Sequence, residues 1–177
     1  IVTRSALVDR LRSVAIPGVI SVVAPAGYGK TTLLAQWAEI WQQRVAWVSA
    51  DYRDNDPAVL LTYLATALDR VEPITPAVLR ALSHRGNAIA IAVVPLLVAA
   101  IGSMREPVAL VLDDAEAITN QECIDTITEL ALSFPADSRF AIASRDTLLL
   151  PAAPLRAHGR IVEIGADDLA MSDREAA

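Results

Sequence analysis

The stretch APAGYGKTTLL at residues 24–34 decides the fold. It follows the β-branched run VISVVA at 19–24, which predicts a buried strand. The pattern glycine, four residues, Gly-Lys-Ser/Thr is typical of a phosphate-binding loop, and here Ala24 replaces the first glycine. Ala24 ends the strand, where a small residue is sufficient. Gly27 and Gly29 lie where backbone amides must turn inward around phosphate oxygens.

Each residue of this loop has an expected task. We expect the backbone amides and the N-terminus of the next helix to face the phosphates. Lys30 is expected to reach the β and γ oxygens, Thr31 to ligate Mg²⁺ through its hydroxyl, and Thr32 to contact the α-phosphate. The alternative is a strand–turn–helix whose glycines serve only the turn. The predicted cofactor-binding residues of the loop are Pro25, Ala26, Gly27, Tyr28, Gly29, Lys30, Thr31 and Thr32.

Two carboxylates close a second apolar run, PVALVLDD at 107–114. A carboxylate at the C-terminal end of a neighbouring strand can hold magnesium through a water, and Asp113 is the candidate. Asp114 falls where hydrolytic enzymes place the acid that orients the attacking water. Both acids could instead serve as N-terminal charges for the following helix. Glu116 is expected to be a solvated neighbour.

A further strand, RFAIAS at 139–144, places Ser144 and Arg145 at its end. This position suits an arginine that senses a γ-phosphate, although a surface ion pair is the alternative. The candidate catalytic residues are Lys30, Asp113, Asp114 and Arg145. The candidate magnesium ligands are Thr31 and Asp113, partly through water.

Apolar strands and helices alternate along the rest of the chain. Asp56 and Pro57 predict an N-cap and a first-turn proline. Continuous apolar strands that alternate with helices imply a parallel sheet covered on both faces. The predicted strands are 19–24, 45–50, 107–114, 139–144 and 159–164, and the predicted helices are 31–43, 57–70, 77–83 and 121–132.

One segment without any charge, residues 86–104, approaches the length that could span a bilayer. Its apolar part, 88–101, contains Pro95 and lies between two strands of the same predicted sheet. We therefore expect no membrane span. The segment is interpreted as a buried or partner-facing helix, with Asn87 as its N-cap.

Composition limits the class of protein. A chain of 177 residues with 54% hydrophobic and 20% charged residues is sufficient for one well-buried domain at 1–177. The net charge of −6 argues against a surface that neutralises nucleic-acid phosphates. A single cysteine, Cys123, and the lack of a signal peptide favour the cytoplasm. The capping box at 172–175, with no helix after it, suggests a domain excised from a longer protein.

The motifs together resemble the nucleotide-binding domain of MalT-type regulators, which are large ATP-dependent LuxR-family transcriptional activators within the STAND class of P-loop switch ATPases. The resemblance covers nearly the whole chain. It implies a three-layer α/β/α sandwich with a mainly parallel five-stranded sheet in the order 5-1-4-3-2, with ATP or ADP and Mg²⁺ as cofactors. It also implies that Ile1, Val2 and Arg4 pack on adenine. The segments that carry it are VVAPAGYGKTTLLAQWA at 22–38, VAWVSADYRDNDPAVLLTYL at 45–64, PVALVLDDAEAI at 107–118, FAIASR at 140–145 and IVEIGADDLAMSDREAA at 161–177.

The leading hypothesis is a nucleotide-controlled switch. ADP holds a closed state, ATP favours an open state that self-associates, and slow hydrolysis resets it. Turnover is expected to be weak because Asp114 is one methylene shorter than the glutamate of fast ATPases. The alternatives are a fast ATPase or small-molecule kinase on the same fold, and an interaction module that nucleotide merely stabilises. Contacts with DNA, an inducer or a partner protein are expected to belong to domains outside this chain.

Overall fold

A sheet of five strands forms the centre of the computed structural model, which describes residues 5–13, 18–42, 44–83, 89–146, 150 and 152–170. Its strand order is β2-β3-β4-β1-β5, and every pair is parallel. Read from the other edge, this is the expected order 5-1-4-3-2. The strands are β1 Val19–Val23, β2 Val45–Ser49, β3 Ala109–Asp113, β4 Arg139–Ser144 and β5 Ile161–Ile164.

Eight helices surround the sheet in the described part of the chain. The helices are α1 Ser5–Ser13, α2 Lys30–Ala38, α3 Pro57–Val71, α4 Pro76–Ser83, α5 Ile89–Gly102, α6 Gln121–Ser133, α7 Ala152–Ala157 and α8 Ala166–Leu169. Short 3₁₀ turns occur at Glu39–Trp41, Tyr52–Asp54 and Ala115–Ala117. The sequence did not predict α1, α7 or α8, and it extended α2 to residue 43, where the structure has a 3₁₀ turn after Ala38.

Alternating residues of the strands pack into two separate cores. In β3, Leu110 and Leu112 join the core formed with α3 to α7, whereas Val111 joins the core formed with α1, α2 and α8. This alternation follows from the two-residue period of a strand. All five residues of β3 are buried, as expected for a central parallel strand with helices on both faces. The three-layer α/β/α arrangement predicted from the sequence is therefore confirmed.

Polar side chains begin two of the helices that cover the sheet. The Asp56 carboxylate accepts hydrogen bonds from the backbone N–H groups of Ala58 and Val59, and Pro57 opens the first turn of α3, as predicted. Asn120 caps α6 in the same way by accepting from the Glu122 N–H. These caps fix where each helix starts after the loops at the C-terminal ends of β2 and β3.

The uncharged segment forms the helix α5, which packs against α3, α4 and α6. Val93 and Leu97 are fully buried, which agrees with the prediction of a buried helix. Its other face is exposed, and the Ile91 side chain there is 73% exposed. None of the helices in the described ranges is long and apolar enough to cross a membrane.

Some expectations concern positions outside the described residues. These are the adenine contacts of Ile1, Val2 and Arg4, the N-cap at Asn87, and the capping box at 172–175.

Candidate nucleotide-binding site

Two glycines shape the loop between β1 and α2. Gly27 has φ 85° and Gly29 has φ 80°, both in the left-handed region that other residues rarely adopt. A Cβ at Gly27 would meet no atom within 4 Å, so backbone conformation rather than space requires glycine there. Gly29 is the N-cap of α2, and its carbonyl accepts the first helical hydrogen bond from Leu33 N–H at 2.9 Å. The loop therefore delivers the chain directly to a helix N-terminus, where backbone amides attract anions.

Lys30 is the first residue of α2, next to this loop, and is only 7% exposed. Its Nζ donates to the carbonyl of Ala24 at 2.7 Å and to that of Pro25 at 3.2 Å. The loop is tied to β4 as well, because Ala24 N–H donates to the Ser144 carbonyl at 3.2 Å. The ammonium group is thus fixed at the point where β1 becomes the loop.

Thr31 and Asp113 meet although 82 positions separate them in sequence. The Thr31 hydroxyl donates to Asp113 Oδ2 at 2.8 Å, and Asp113 Oδ1 accepts from the Asp114 N–H at 3.0 Å. Asp113 is buried at the end of β3. A hydroxyl and a carboxylate are the oxygen ligands that Mg²⁺ prefers, so the donor set fits this ion.

Asp114 occupies a strained position directly after β3. Its φ of 54° and ψ of 35° are left-handed, a conformation that aspartate tolerates better than most residues. Burial raises the pKa of Asp114 above its ordinary value, and the Asp113 and Glu116 carboxylates add to this, whereas Arg145 and Lys30 oppose it. Five charged groups thus interact at this end of the sheet.

Arg145 forms an ion pair with Glu116. Arg145 Nε lies 2.7 Å from Glu116 Oε1, and the Arg145 backbone N–H donates to Oε2 at 3.0 Å. The expectation that Glu116 is a solvated neighbour was wrong, because its side chain is only 19% exposed and holds the arginine. The ion-pair alternative for Arg145 is what the structure contains, and its role as a phosphate sensor stays a prediction.

Asn55 is a residue of this region that sequence reasoning missed. Its Nδ2 donates to the carbonyls of Tyr52 at 3.1 Å and Ala117 at 2.8 Å. Its Oδ1 accepts from the N–H groups of Thr119 at 2.6 Å and Asn120 at 2.9 Å. Asn55 therefore ties the turn after β2 to the turn that follows Asp113. The polar sequence DYRDND at 51–56 contains Asn55, but its only local signal is the N-cap at Asp56.

The strand order, the glycine loop around a buried lysine, and the threonine–aspartate contact between α2 and β3 define a P-loop nucleotide-binding domain. A solved structure with this fold is a Walker-type ATPase of Pyrococcus abyssi, which matches with a TM-score of 0.54 at 13% identity, over 93% of this chain and 54% of that chain. At this identity the likeness concerns the fold alone. No protein-family model matches the chain.

Sequence relatives identify the kind of P-loop domain. The chain is 32% identical over 176 residues to the HTH-type transcriptional regulator MalT of Serratia proteamaculans, and 31% identical to that of Yersinia enterocolitica. Each match covers 99% of this chain and 19% of the relative, so the chain spans about a fifth of the length of these curated relatives. The chain is a MalT-like nucleotide-binding domain.

Proposed function

We propose that the chain is an ATP/ADP-binding switch domain of a signal-responsive transcriptional regulator, in which slow Mg²⁺-dependent hydrolysis of ATP controls self-association. The observation that carries this proposal is the 2.8 Å contact between the Thr31 hydroxyl and the buried Asp113 carboxylate. It brings the start of the helix after the phosphate loop to the end of β3. Phosphoryl chemistry needs oxygen ligands for magnesium at this position.

The phosphates would lie against the loop between β1 and α2. Left-handed glycines such as Gly27 and Gly29 allow backbone amides to turn inward around an anion, and the N-terminus of α2 adds a partial positive charge. Lys30 would exchange its carbonyl partners for phosphate oxygens, which bind an ammonium group more strongly because they are charged. The loop thus supplies affinity for any nucleoside di- or triphosphate.

Magnesium would be held by Thr31 and Asp113, and when bound it would neutralise charge on the phosphate oxygens. Asp114 follows directly, so its carboxylate is available to orient a water molecule near the terminal phosphate. The short side chain of Asp114 holds such a water less firmly than a glutamate, which supports slow turnover. Slow turnover suits a switch, because the bound nucleotide then defines a lasting state.

A switch also requires that its closed and open states differ in their relative affinity for ATP and ADP. Lys30 and Arg145 are the groups proposed to contact a γ-phosphate, and ADP lacks that contact. Contacts with DNA, an inducer or a partner protein are proposed to belong to other parts of a longer, cytoplasmic protein. The net charge of −6 agrees with DNA contact through another part.

Calorimetry with ATP and with ADP, each in the presence and absence of Mg²⁺, tests the proposal. We expect both nucleotides to bind, and light scattering to detect larger particles with ATP than with ADP. If neither ATP nor ADP gives binding heat, the proposal is overturned. Turnover above about one per second would favour an enzyme, since typical enzymes reach at least this rate. Self-association to the same extent with ATP and with ADP would favour the interaction module.

A further inference from the structure

We propose that Glu116 sets the preference of this site between nucleoside di- and triphosphate by competing with the γ-phosphate for Arg145. The inference rests on the proposed function and adds a specificity-determining residue to it. Glu116 acts here as a positioning residue, because its effect on the nucleotide passes through the arginine.

The contact between the two residues has two points. One Glu116 oxygen accepts from the backbone N–H of Arg145 at 3.0 Å, and the other lies 2.7 Å from Nε of the same residue. The carboxylate is largely covered at 19% exposure, whereas the arginine side chain is 56% exposed. The glutamate is therefore the fixed partner, and the guanidinium is the group with freedom to move.

The pair lies beside the phosphate loop. Arg145 directly follows Ser144, whose backbone pairs with Val23 at the end of β1 and accepts from the Ala24 N–H. Glu116 belongs to the turn Ala115–Ala117, which begins two residues after Asp113. The ion pair thus connects the turn after the proposed magnesium ligand to the strand that adjoins the start of the loop.

Carboxylate and phosphate bind a guanidinium with the same planar geometry, through paired N–H groups. While the 2.7 Å ion pair holds Arg145 Nε against Glu116, that side of the guanidinium is occupied by the carboxylate. A γ-phosphate that pairs with the Nε side of Arg145 therefore displaces Glu116, whereas a diphosphate leaves the contact in place. The pair consequently lowers the affinity for ATP relative to ADP.

Glu116→Gln is the variant that separates these effects. Glutamine retains an oxygen for the Arg145 backbone N–H, but its amide group cannot accept from Nε and carries no charge. We expect the ratio of the ATP dissociation constant to the ADP dissociation constant to fall at least about threefold, within the usual range for coupled neighbours. Glu116→Asp, which is too short to reach both donors, is expected to change the ratio in the same direction.

A double-mutant cycle tests whether the effect passes through the arginine. Both dissociation constants are measured with Mg²⁺ by calorimetry for the wild type, Glu116→Gln, Arg145→Ala and the double variant. In the Arg145→Ala background we expect Glu116→Gln to change the ratio by less than about twofold, because the shared partner is absent. Glu106→Gln is the matched control, since Glu106 precedes the N-terminal end of β3, whereas Glu116 follows its C-terminal end, and the Glu106 side chain is 73% exposed. The ratio of the ATP to the ADP dissociation constant in Glu106→Gln is expected to equal that of the wild type.

Two results would overturn the inference. One is an unchanged ratio in both Glu116→Gln and Glu116→Asp when thermal melts show that the variants are folded. The other is a shift of equal size with and without Arg145, which would assign the effect to direct repulsion of the γ-phosphate by Glu116. Failure of the proposed function gives a different result, because the wild-type protein would then bind neither nucleotide.

Discussion

At the scale of single residues, the loop after β1 and the end of β3 could be found from the sequence because their signals are local. Gly27, Gly29 and Lys30 stand within four positions of one another, and a backbone turn dictates the glycines. The pairing of Glu116 with Arg145 could not be predicted in this way. It joins residues 29 positions apart and depends on β3 and β4 being neighbours in the sheet.

Lys30→Met is expected to weaken ATP binding about 10- to 150-fold, because hydrogen bonds to charged groups contribute about 1.5–3 kcal/mol. Methionine retains the apolar stem that lies within the loop. Calorimetry measures the change, and circular dichroism checks that the variant is folded. Equal ATP affinity in the two proteins would exclude Lys30 from phosphate binding.

Asp113→Asn is expected to remove the part of ATP affinity that depends on Mg²⁺. The substitution takes away the buried charge but keeps an oxygen that can accept from Thr31. Titrations with ATP are run with Mg²⁺ and again with a chelator. In the chelator the variant should bind at least as well as the wild type, because less negative charge faces the phosphates. A variant that still gains affinity from Mg²⁺ would place the ion elsewhere.

At the scale of elements, the spacing of apolar residues predicted the positions of the longer helices, but it did not predict the short ones. The predicted strand at 139–144 coincides with β4, whereas α7 and α8 have six and four residues and carry too few apolar repeats to be recognised. The sequence predicted α5 as a helix although it has no polar face, and its length, Pro95 and its place between two strands of one sheet argued against a membrane span. Packing against α3, α4 and α6 then determined which side is buried.

Leu97→Ala in α5 is expected to reduce the free energy of unfolding by about 2–5 kcal/mol, since the side chain is fully buried and its loss leaves a cavity. Ile91→Ala in the same helix is the matched control. That side chain is 73% exposed, so its truncation should change stability by no more than about 0.5 kcal/mol. Urea denaturation measures both values. Similar losses in the two variants would contradict the assigned orientation of α5.

Asp168 of α8 pairs with Arg10 of α1 and so connects the two ends of the described chain. Its lowered pKa predicts that the stability of the fold depends on pH. The backbone N–H of Gly165 and then Arg10 of α1 lower the pKa of Asp168 below its ordinary value of 3.8. A carboxyl with a lowered folded pKa contributes stability above its unfolded pKa, and this contribution disappears as the pH falls through the folded pKa.

Asp168→Asn should therefore be less stable than the wild type near neutral pH, and the difference should shrink below pH 3.8. Unfolding free energies measured across this range check the sign. The neighbouring Asp167→Asn provides the same change of charge on an exposed side chain of α8. If the two variants follow the same pH curve, general charge rather than the Asp168 contacts is responsible.

At the scale of the whole molecule, the alternation of strands and helices indicated a covered parallel sheet, and the order of its strands came from the resemblance to MalT-type regulators. Periodicity alone cannot give the order, because every right-handed crossover between parallel strands has the same local pattern. The consequence of the observed order is that β1 lies between β4 and β5, so the phosphate loop emerges from the interior of the sheet.

Nucleotide is expected to stabilise the whole domain. A ligand that binds only the folded state at about 100 times its dissociation constant adds about 2.7 kcal/mol. For a domain of this size, that raises the melting temperature by roughly 5–11 °C. Thermal melts with and without ADP measure the shift, and Lys30→Met at the same ADP concentration should shift less. An unchanged melting temperature in the wild type would mean that the folded state does not bind ADP.

The buried Lys30 can report on local opening of the fold through proteolysis. Lys30 is the only lysine in the sequence, so an endoprotease that cuts after lysine has a single target in this chain. That target lies where the loop enters α2, and digestion must wait until this part of the fold opens. The rate at which two fragments accumulate therefore reports the opening of one segment, without labels or engineered sites.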